Sequence, residues 1–333
     1  MTTVAVIGDG QMGLVMADAL ASRGAEVRLW GPFPSHVDDL AERRKSGRLP
    51  HFMLSDAIRV TPSADETFAG ADVALNAIPT QFIRKVWSEL SSFVGPGVPV
   101  ACVAKGIEVD TNLLPTQIIE EIVGEGHSTC VLSGPTIATE LVRRQPAAMV
   151  ASSMDEEVAK QVQGLFDVPW LRIYTHGDPL GVELAGALKN VIAIAAGICD
   201  GMELGDNAKS AMLARGLAEI SRLGVALGAQ LETFFGIAGV GDLATTCFSP
   251  YGRNRTCGER LGKGEDLQTI TETMGSVVEG VATTKAVHAL AKEKGVDMPI
   301  ANAMYKVLYE NLSMNDAIVS LMSRDLRAEQ LRR

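Results

Sequence analysis

Six residues near the N-terminus constrain this chain more than any other segment. Gly8-Asp9-Gly10-Gln11-Met12-Gly13 directly follows the apolar run Thr3–Ile7. It opens a stretch in which Met12, Val15, Met16, Ala19 and Leu20 recur at the spacing of one helix face. A β-branched run, a glycine turn and an amphipathic helix in that order read as the start of a dinucleotide-binding βαβ unit. Gly8 permits the tight turn, Gly10 lets the backbone approach a pyrophosphate, and Gly13 lets helix and strand pack closely, while the helix N-terminus favours the anion. A purely structural turn is the alternative, and the strand–turn–helix context favours the nucleotide. Met12 has a competing role as a helix core residue. About 20 residues further on, the ribose-reading position should close the second strand. There the chain reads Trp30-Gly31-Pro32-Phe33, with no Asp or Glu for a 2′-hydroxyl and no adjacent Arg for a 2′-phosphate. Arg43 and Arg44 could swing in to supply that cation, although a solvated helix face is the favoured reading for them. NAD versus NADP is therefore open.

The pattern continues as strands alternating with helices. Glu26–Trp30 and residues 73–77, 98–103, 130–133 and 147–151 read as strands, separated by helical stretches at 82–90, 113–122 and 155–166. Such alternation predicts a mostly parallel sheet covered on both faces. From Gly181 onward the pattern is helical, with glycine loops between helices. Residues 1–179 are thus expected to form an α/β Rossmann domain and residues 180–333 an all-α domain. Residues 323–333 read as a solvated terminal helix.

Length agrees, since 333 residues suit two domains at about 150 residues each. With 47% hydrophobic and 21% charged residues, a sizeable core is expected rather than disorder. A net charge of −10 argues against a broad nucleic-acid or anionic-membrane surface, but not against a small anionic substrate held by local cations. The five cysteines, Cys102, Cys130, Cys199, Cys247 and Cys257, show no zinc or redox spacing. They fit a reduced, cytoplasmic setting without structural metal. No targeting segment is evident, and the longest apolar run, residues 191–199, falls far short of the ~20 residues of a membrane helix.

Four further segments carry polar chemistry. Two strand ends lead into Lys105-Gly106 and Gly134-Pro135-Thr136, which a parallel sheet would bring to the edge where ligands bind. In GVELAGALKNVIAIAAGICDG, Lys189 is the one charged residue between Leu184 and Cys199, beside Asn190. A lysine in so apolar a helix is either satisfied by backbone carbonyls or desolvated into a general acid/base. Finally, GIAGVGDLATTCFSPYGRNR brings Asp242, which could orient that lysine, and Thr246, a hydroxyl donor. It also concentrates Arg253, Asn254 and Arg255, donors suited to a phosphate or a carboxylate.

Together with RGLAEISRLGVALGA and VVEGVATTKAV, these segments make the whole chain resemble the bacterial-type NAD(P)-dependent glycerol-3-phosphate dehydrogenases. The resemblance implies a Rossmann domain followed by a helical domain of the 6-phosphogluconate dehydrogenase-like kind, usually dimeric. It also implies interconversion of sn-glycerol 3-phosphate and dihydroxyacetone phosphate with NAD(P)H, feeding phospholipid synthesis. Carried over by position, Lys189 is the proton acceptor and donor, and Lys105 contacts substrate and cofactor. Gly134, Thr136, Asn190, Asp242, Thr246, Gly252, Arg253 and Asn254 surround the substrate. Gly8, Gly10, Gln11, Met12, Gly13, Ala138, Arg253, Val277 and Glu279 match cofactor positions. The chain departs from the family at Gln11-Met12 (commonly Ser-Trp), at Gly31-Pro32 (commonly basic or polar) and at Gly252 (often serine), where a backbone N–H could replace the hydroxyl. A different two-domain dehydrogenase acting on a hydroxy acid or sugar nucleotide, and a catalytically silent cofactor sensor, are the competing readings.

Overall fold

The computed structural model describes residues 1–326 and 329. They divide into two compact units: Met1–Lys105 with Leu113–Glu183, and Gly106–Asn112 with the chain from Leu184 onward. The division falls inside the helix Pro179–Gly201 rather than at its start, where the sequence reading put it. Pro179 opens that helix, where its missing N–H has no intrahelical partner to lose. The helix then runs unbroken past the division.

The first unit holds one eight-stranded sheet: β1 (Thr3–Ile7), β2 (Glu26–Trp30), β3 (Ile58–Val60), β4 (Val73–Asn76), β5 (Val100–Cys102), β6 (Thr129–Ser133), β7 (Ala147–Ser152) and β8 (Leu171–His176). Their order is β3-β2-β1-β4-β5-β6-β7-β8. Pairings from β3 through β6 are parallel, β7 runs antiparallel to β6, and β8 is parallel to β7. Both faces are buried, which is why β1 is apolar from Val4 to Ile7: Val4 and Val6 enter one core cluster and Ala5 and Ile7 the other. The order reverses between β1 and β4, making their carboxyl ends the switch point at which such sheets bind ligands. Two strands were not expected from the sequence. β3 is only three residues long, and β8, LRIYTH, buries Leu171 and Ile173 on one side while Arg172 and Tyr174 stay exposed, so neither forms an apolar run.

Among the described residues of the second unit the regular elements are all helical. Two helices that carry candidate site residues, Pro179–Gly201 and Arg253–Gly262, meet through facing glycines. A Cβ on Gly258 would lie 1.9 Å from the carbonyl oxygen of Ile194, one on Gly197 2.0 Å from that of Arg255, and one on Gly201 2.2 Å from that of Glu259. No side chain fits there, so the backbones touch directly. Helix Pro179–Gly201 is also long and apolar enough to cross a membrane by length and composition, exceeding the nine-residue run seen in the sequence, yet its most apolar stretch is entirely buried within the protein. Among the described residues the last helix is Met314–Met322. The expected terminal helix is not formed at residues 323–326, which lack an apolar face to pack. Of its remainder, residues 327, 328 and 330–333 lie outside the described residues.

Candidate active site

The glycine loop leaves β1 with Gly8 at φ 118°, a left-handed conformation that L side chains rarely adopt. Its N–H donates to the Trp30 carbonyl at the end of β2, 2.8 Å away. A Cβ on Gly13 would sit 1.8 Å from the Gly8 carbonyl oxygen, so the helix Gln11–Arg23 can begin against the loop only with glycine there. Gly10 is different. A Cβ built on it meets nothing within 4 Å, and it caps the helix without a side-chain bond. The loop is thus tight where strand and helix pack and open where a pyrophosphate would approach the helix N-terminus, which fits a dinucleotide. Met12 packs against the core, in keeping with its helix-core role. The Gln11 amide donates to the Arg48 carbonyl at 2.6 Å.

Lys105 and Gly134 follow β5 and β6, which are adjacent and parallel, so the two loops emerge side by side. Lys105 Nζ donates to the Gly134 carbonyl at 2.9 Å, and the Thr136 hydroxyl donates to the same oxygen at 3.0 Å. Ala138 begins the short helix Ala138–Leu141 just beyond.

In the second unit, Lys189 is 5% exposed and Asp242 2%. Lys189 Nζ lies 2.8 Å from Asp242 Oδ1 and also donates to the Thr246 hydroxyl. That hydroxyl donates in turn to the Asp242 carbonyl at 2.7 Å, one helical turn back in the helix Asp242–Phe248. The lysine is therefore held by a carboxylate and a hydroxyl that the sequence places more than fifty residues away, and not by backbone carbonyls alone. Beside it, Asn254 Nδ2 donates to Asn190 Oδ1 at 2.9 Å, and Asn254 Oδ1 accepts from the Gly280 N–H at 2.9 Å. One buried amide so ties together the helices Pro179–Gly201, Arg253–Gly262 and Glu279–Lys294.

Gly252 caps the helix Arg253–Gly262 with no side-chain bond, and Arg253 stands at its first position. The Gly252 N–H donates to the Ser249 carbonyl at 3.3 Å, within the turn that precedes the helix. The amides of the first helical turn remain directed outward, as in any helix start. Crowding by protein atoms draws the pKa of Arg253 down while the Glu279 carboxylate holds it up; the residue is exposed, and its guanidinium stays charged. Arg255 differs from the expectation for the basic run: its Nε bonds Asp200 at 2.6 Å and its Nη1 pairs with Glu259 at 3.2 Å. Val277 and Glu279 flank the start of the helix Glu279–Lys294.

Two family models cover nearly the whole chain. The NAD-dependent glycerol-3-phosphate dehydrogenase N-terminus matches residues 3–159, and the corresponding C-terminus matches residues 178–319. The chain is 45% identical to the glycerol-3-phosphate dehydrogenase (NAD(P)+) of Staphylococcus haemolyticus over 332 residues, 99% of this chain and 100% of that one.

The chain belongs to the NAD-dependent glycerol-3-phosphate dehydrogenase family.

A second relative of the same name, from Geobacter metallireducens, is 44% identical over 98% of both chains. The crystal structure of glycerol-3-phosphate dehydrogenase from Coxiella burnetii superposes with a TM-score of 0.93 at 31% identity, covering 97% of this chain and 99% of that one. Against this family frame, the cluster that sequence reasoning missed is the one around Asp9. Its carboxylate is 2% exposed; Oδ1 accepts from Arg48 Nη1 at 2.8 Å, and Oδ2 meets His36 Nδ1. A charged residue between the first two glycines was the available signal, but nothing in the spacing joined it to residues 36 and 48. Arg43, by contrast, pairs with Asp39 along its own exposed helix face.

Proposed function

We infer that this protein is an NAD(P)-dependent oxidoreductase that interconverts sn-glycerol 3-phosphate and dihydroxyacetone phosphate, with Lys189 as the proton donor and acceptor. The observation that carries the reading of the site is the buried Lys189–Asp242–Thr246 cluster, set in a chain of this family. An ammonium 5% exposed needs a counter-charge, and Asp242 supplies it while fixing where the nitrogen points.

When bound, the reduced nicotinamide supplies the hydride that the substrate C2 accepts. Lys189 Nζ gives a proton to the C2 oxygen as negative charge develops there, and takes it back in the oxidative direction. Lys105 and Asn190 add donors that favour that charge. Lys105 is positioned by the Gly134 carbonyl, and Thr136 is bonded to the same atom. The Arg253 guanidinium and the uncapped helix start at Gly252 offer a forked cation and aligned N–H groups, a combination suited to the substrate phosphate. Holding that remote group orients C2, so its binding energy contributes to turnover. Asn254 contributes by keeping the Arg253 helix in place through Asn190 and Gly280. Gly8, Gly10, Gln11, Met12, Gly13, Ala138, Val277 and Glu279 complete the proposed cofactor contacts.

The same reading places the enzyme in the cytoplasm, where its five buried free thiols stay reduced, and assigns its product to phospholipid synthesis. It also includes a homodimer, supported by apolar Val319 and Met322 exposed on the last helix. The deciding experiment follows reduced-nicotinamide absorbance with dihydroxyacetone phosphate and with non-phosphorylated analogues, using NADH and NADPH in parallel. Turnover restricted to the phosphorylated substrate is expected. Cofactor binding with no turnover would sink the reading.

A further inference from the structure

We propose that Arg48, held by Asp9 and flanked by His36, is the group that reads the adenosine 2′-phosphate, and that it makes NADPH the preferred cofactor. The inference rests on the dinucleotide reading of the glycine loop and settles a question that reading leaves open. In dinucleotide-binding sheets the residue closing the second strand distinguishes the two cofactors: a carboxylate takes the ribose hydroxyls, or a nearby arginine takes the 2′-phosphate. Here β2 ends in Trp30-Gly31-Pro32, which offers neither side chain.

The structure fills that position from elsewhere in the chain. A Cβ on Gly31 would lie 2.7 Å from the Asp9 carboxyl carbon and 3.0 Å from its Oδ2. The carboxylate of the glycine loop therefore occupies the space that a side chain at the end of β2 would fill, and glycine at 31 makes the room. The carboxylate does not face outward to receive ribose hydroxyls. It is 2% exposed and engages Arg48 with one oxygen and His36 with the other. What reaches the surface is the donor side of the cluster: the Arg48 side chain is 39% exposed and that of His36 30%.

Arg48 is also fixed in place. Its carbonyl accepts from the Gln11 amide in the glycine loop, its N–H donates to the Ser46 hydroxyl at 3.2 Å, and the next residue, Leu49, is buried in the core. A guanidinium pinned at one edge by a buried carboxylate presents its remaining N–H groups in a preset direction, at little entropic cost to binding. Its fork suits a phosphate dianion, and residues 31–37, directly after β2, include no acidic side chain to repel one. Gln11, which departs from the family's common residue, acquires a role here by docking the Arg48 loop onto the nucleotide loop.

The test is a binding titration that needs no substrate: the purified protein is titrated with NADPH and with NADH, following nicotinamide fluorescence, with 2′,5′-ADP and 5′-ADP as competitors. The wild type should bind NADPH more tightly than NADH, and 2′,5′-ADP more tightly than 5′-ADP. Arg48→Ala should weaken NADPH by about tenfold to a hundredfold, the range of one charge-assisted contact, while leaving NADH within about twofold. Arg48→Lys should retain part of the preference, and Asp9→Asn should reduce it by loosening the guanidinium. Since Asp9 is buried and its replacement can cost folding, the two variants of the half-exposed Arg48 carry the test, with NADH affinity as the control for an intact site. Equal wild-type affinity for the two cofactors overturns the proposal. So does an Arg48→Ala variant that binds both as before, or that loses both equally, which would leave Arg48 only a loop-supporting role. A protein that shows the binding contrast but reduces no dihydroxyacetone phosphate would overturn the substrate reading and leave this one standing.

Discussion

Lys189 Nζ and Asp242 Oδ1 are 2.8 Å apart in a site where neither residue is more than 5% exposed. Removing water on that scale penalises either charge alone, so each depends on the other for its ionised form. Lys189→Ala is expected to lower kcat by about 10²- to 10⁴-fold, the usual contribution of a positioned acid/base, with NADPH affinity little changed. A variant with near-normal kcat would remove Lys189 from the proton-transfer role.

The pair also makes a stability prediction separable from catalysis. Asp242→Ala leaves a buried ammonium without its carboxylate and should cost roughly 3–5 kcal/mol in denaturant unfolding. Replacing both members together, as Lys189→Met with Asp242→Leu, should recover most of that loss while turnover stays absent. Recovery of activity in the double variant would contradict the assigned chemistry.

Arg253 stands exposed at the first position of an uncapped ten-residue helix. Arg253→Ala should raise the KM for dihydroxyacetone phosphate by one to two orders of magnitude, on the order of the 1.5–3 kcal/mol of a charged hydrogen bond, and leave thermal stability within about 1 kcal/mol. Steady-state kinetics beside a melting curve checks both parts. A KM unaltered by the change would place the phosphate elsewhere.

Gly258 allows the helix Arg253–Gly262 to touch the Ile194 carbonyl. Gly258→Ala should destabilise the protein by at least about 1–3 kcal/mol, because the new methyl meets backbone that cannot rotate away. It should also raise the substrate KM by displacing Arg253 and Asn254, although residue 258 is proposed to touch no ligand.

Two buried glutamates supply a pH dependence. Burial pushes both carboxyls up to about 7 from an ordinary value near 4.5. Glu183 is bonded to the N–H and hydroxyl of Thr116, and Glu219 accepts from the N–H groups of Ile300 and Ala301. Between about 4.5 and 7 the folded state holds protons that the unfolded chain releases, so stability should fall as pH rises through that window. Each residue contributes on the order of 1–3 kcal/mol. Glu219→Gln, which stays neutral, should flatten part of the decline in melting temperature measured from pH 4.5 to 8. An unaltered slope would show that Glu219 is not a source.

Local periodicity and residue type determined much of this protein. The glycine loop after Thr3–Ile7, the alternation of strands and helices, and the isolated Lys189 were legible because each depends on neighbours within one or two turns of chain. β3 and β8 were not, since a three-residue strand and a half-exposed one leave no continuous apolar run. Tertiary structure alone decided which distant groups meet: Asp242 and Thr246 at Lys189, Asn254 between Asn190 and Gly280, and Arg48 with His36 at Asp9. It also withdrew Arg255 from the basic run by giving it Asp200. Those encounters depend on backbones approaching at Gly197, Gly258 and Gly280 and on the Asp9 carboxylate filling the space at Gly31, where even one methyl group would collide with a neighbour. A sequence shows that such positions lack a side chain. Only the packed chain shows what fills the space.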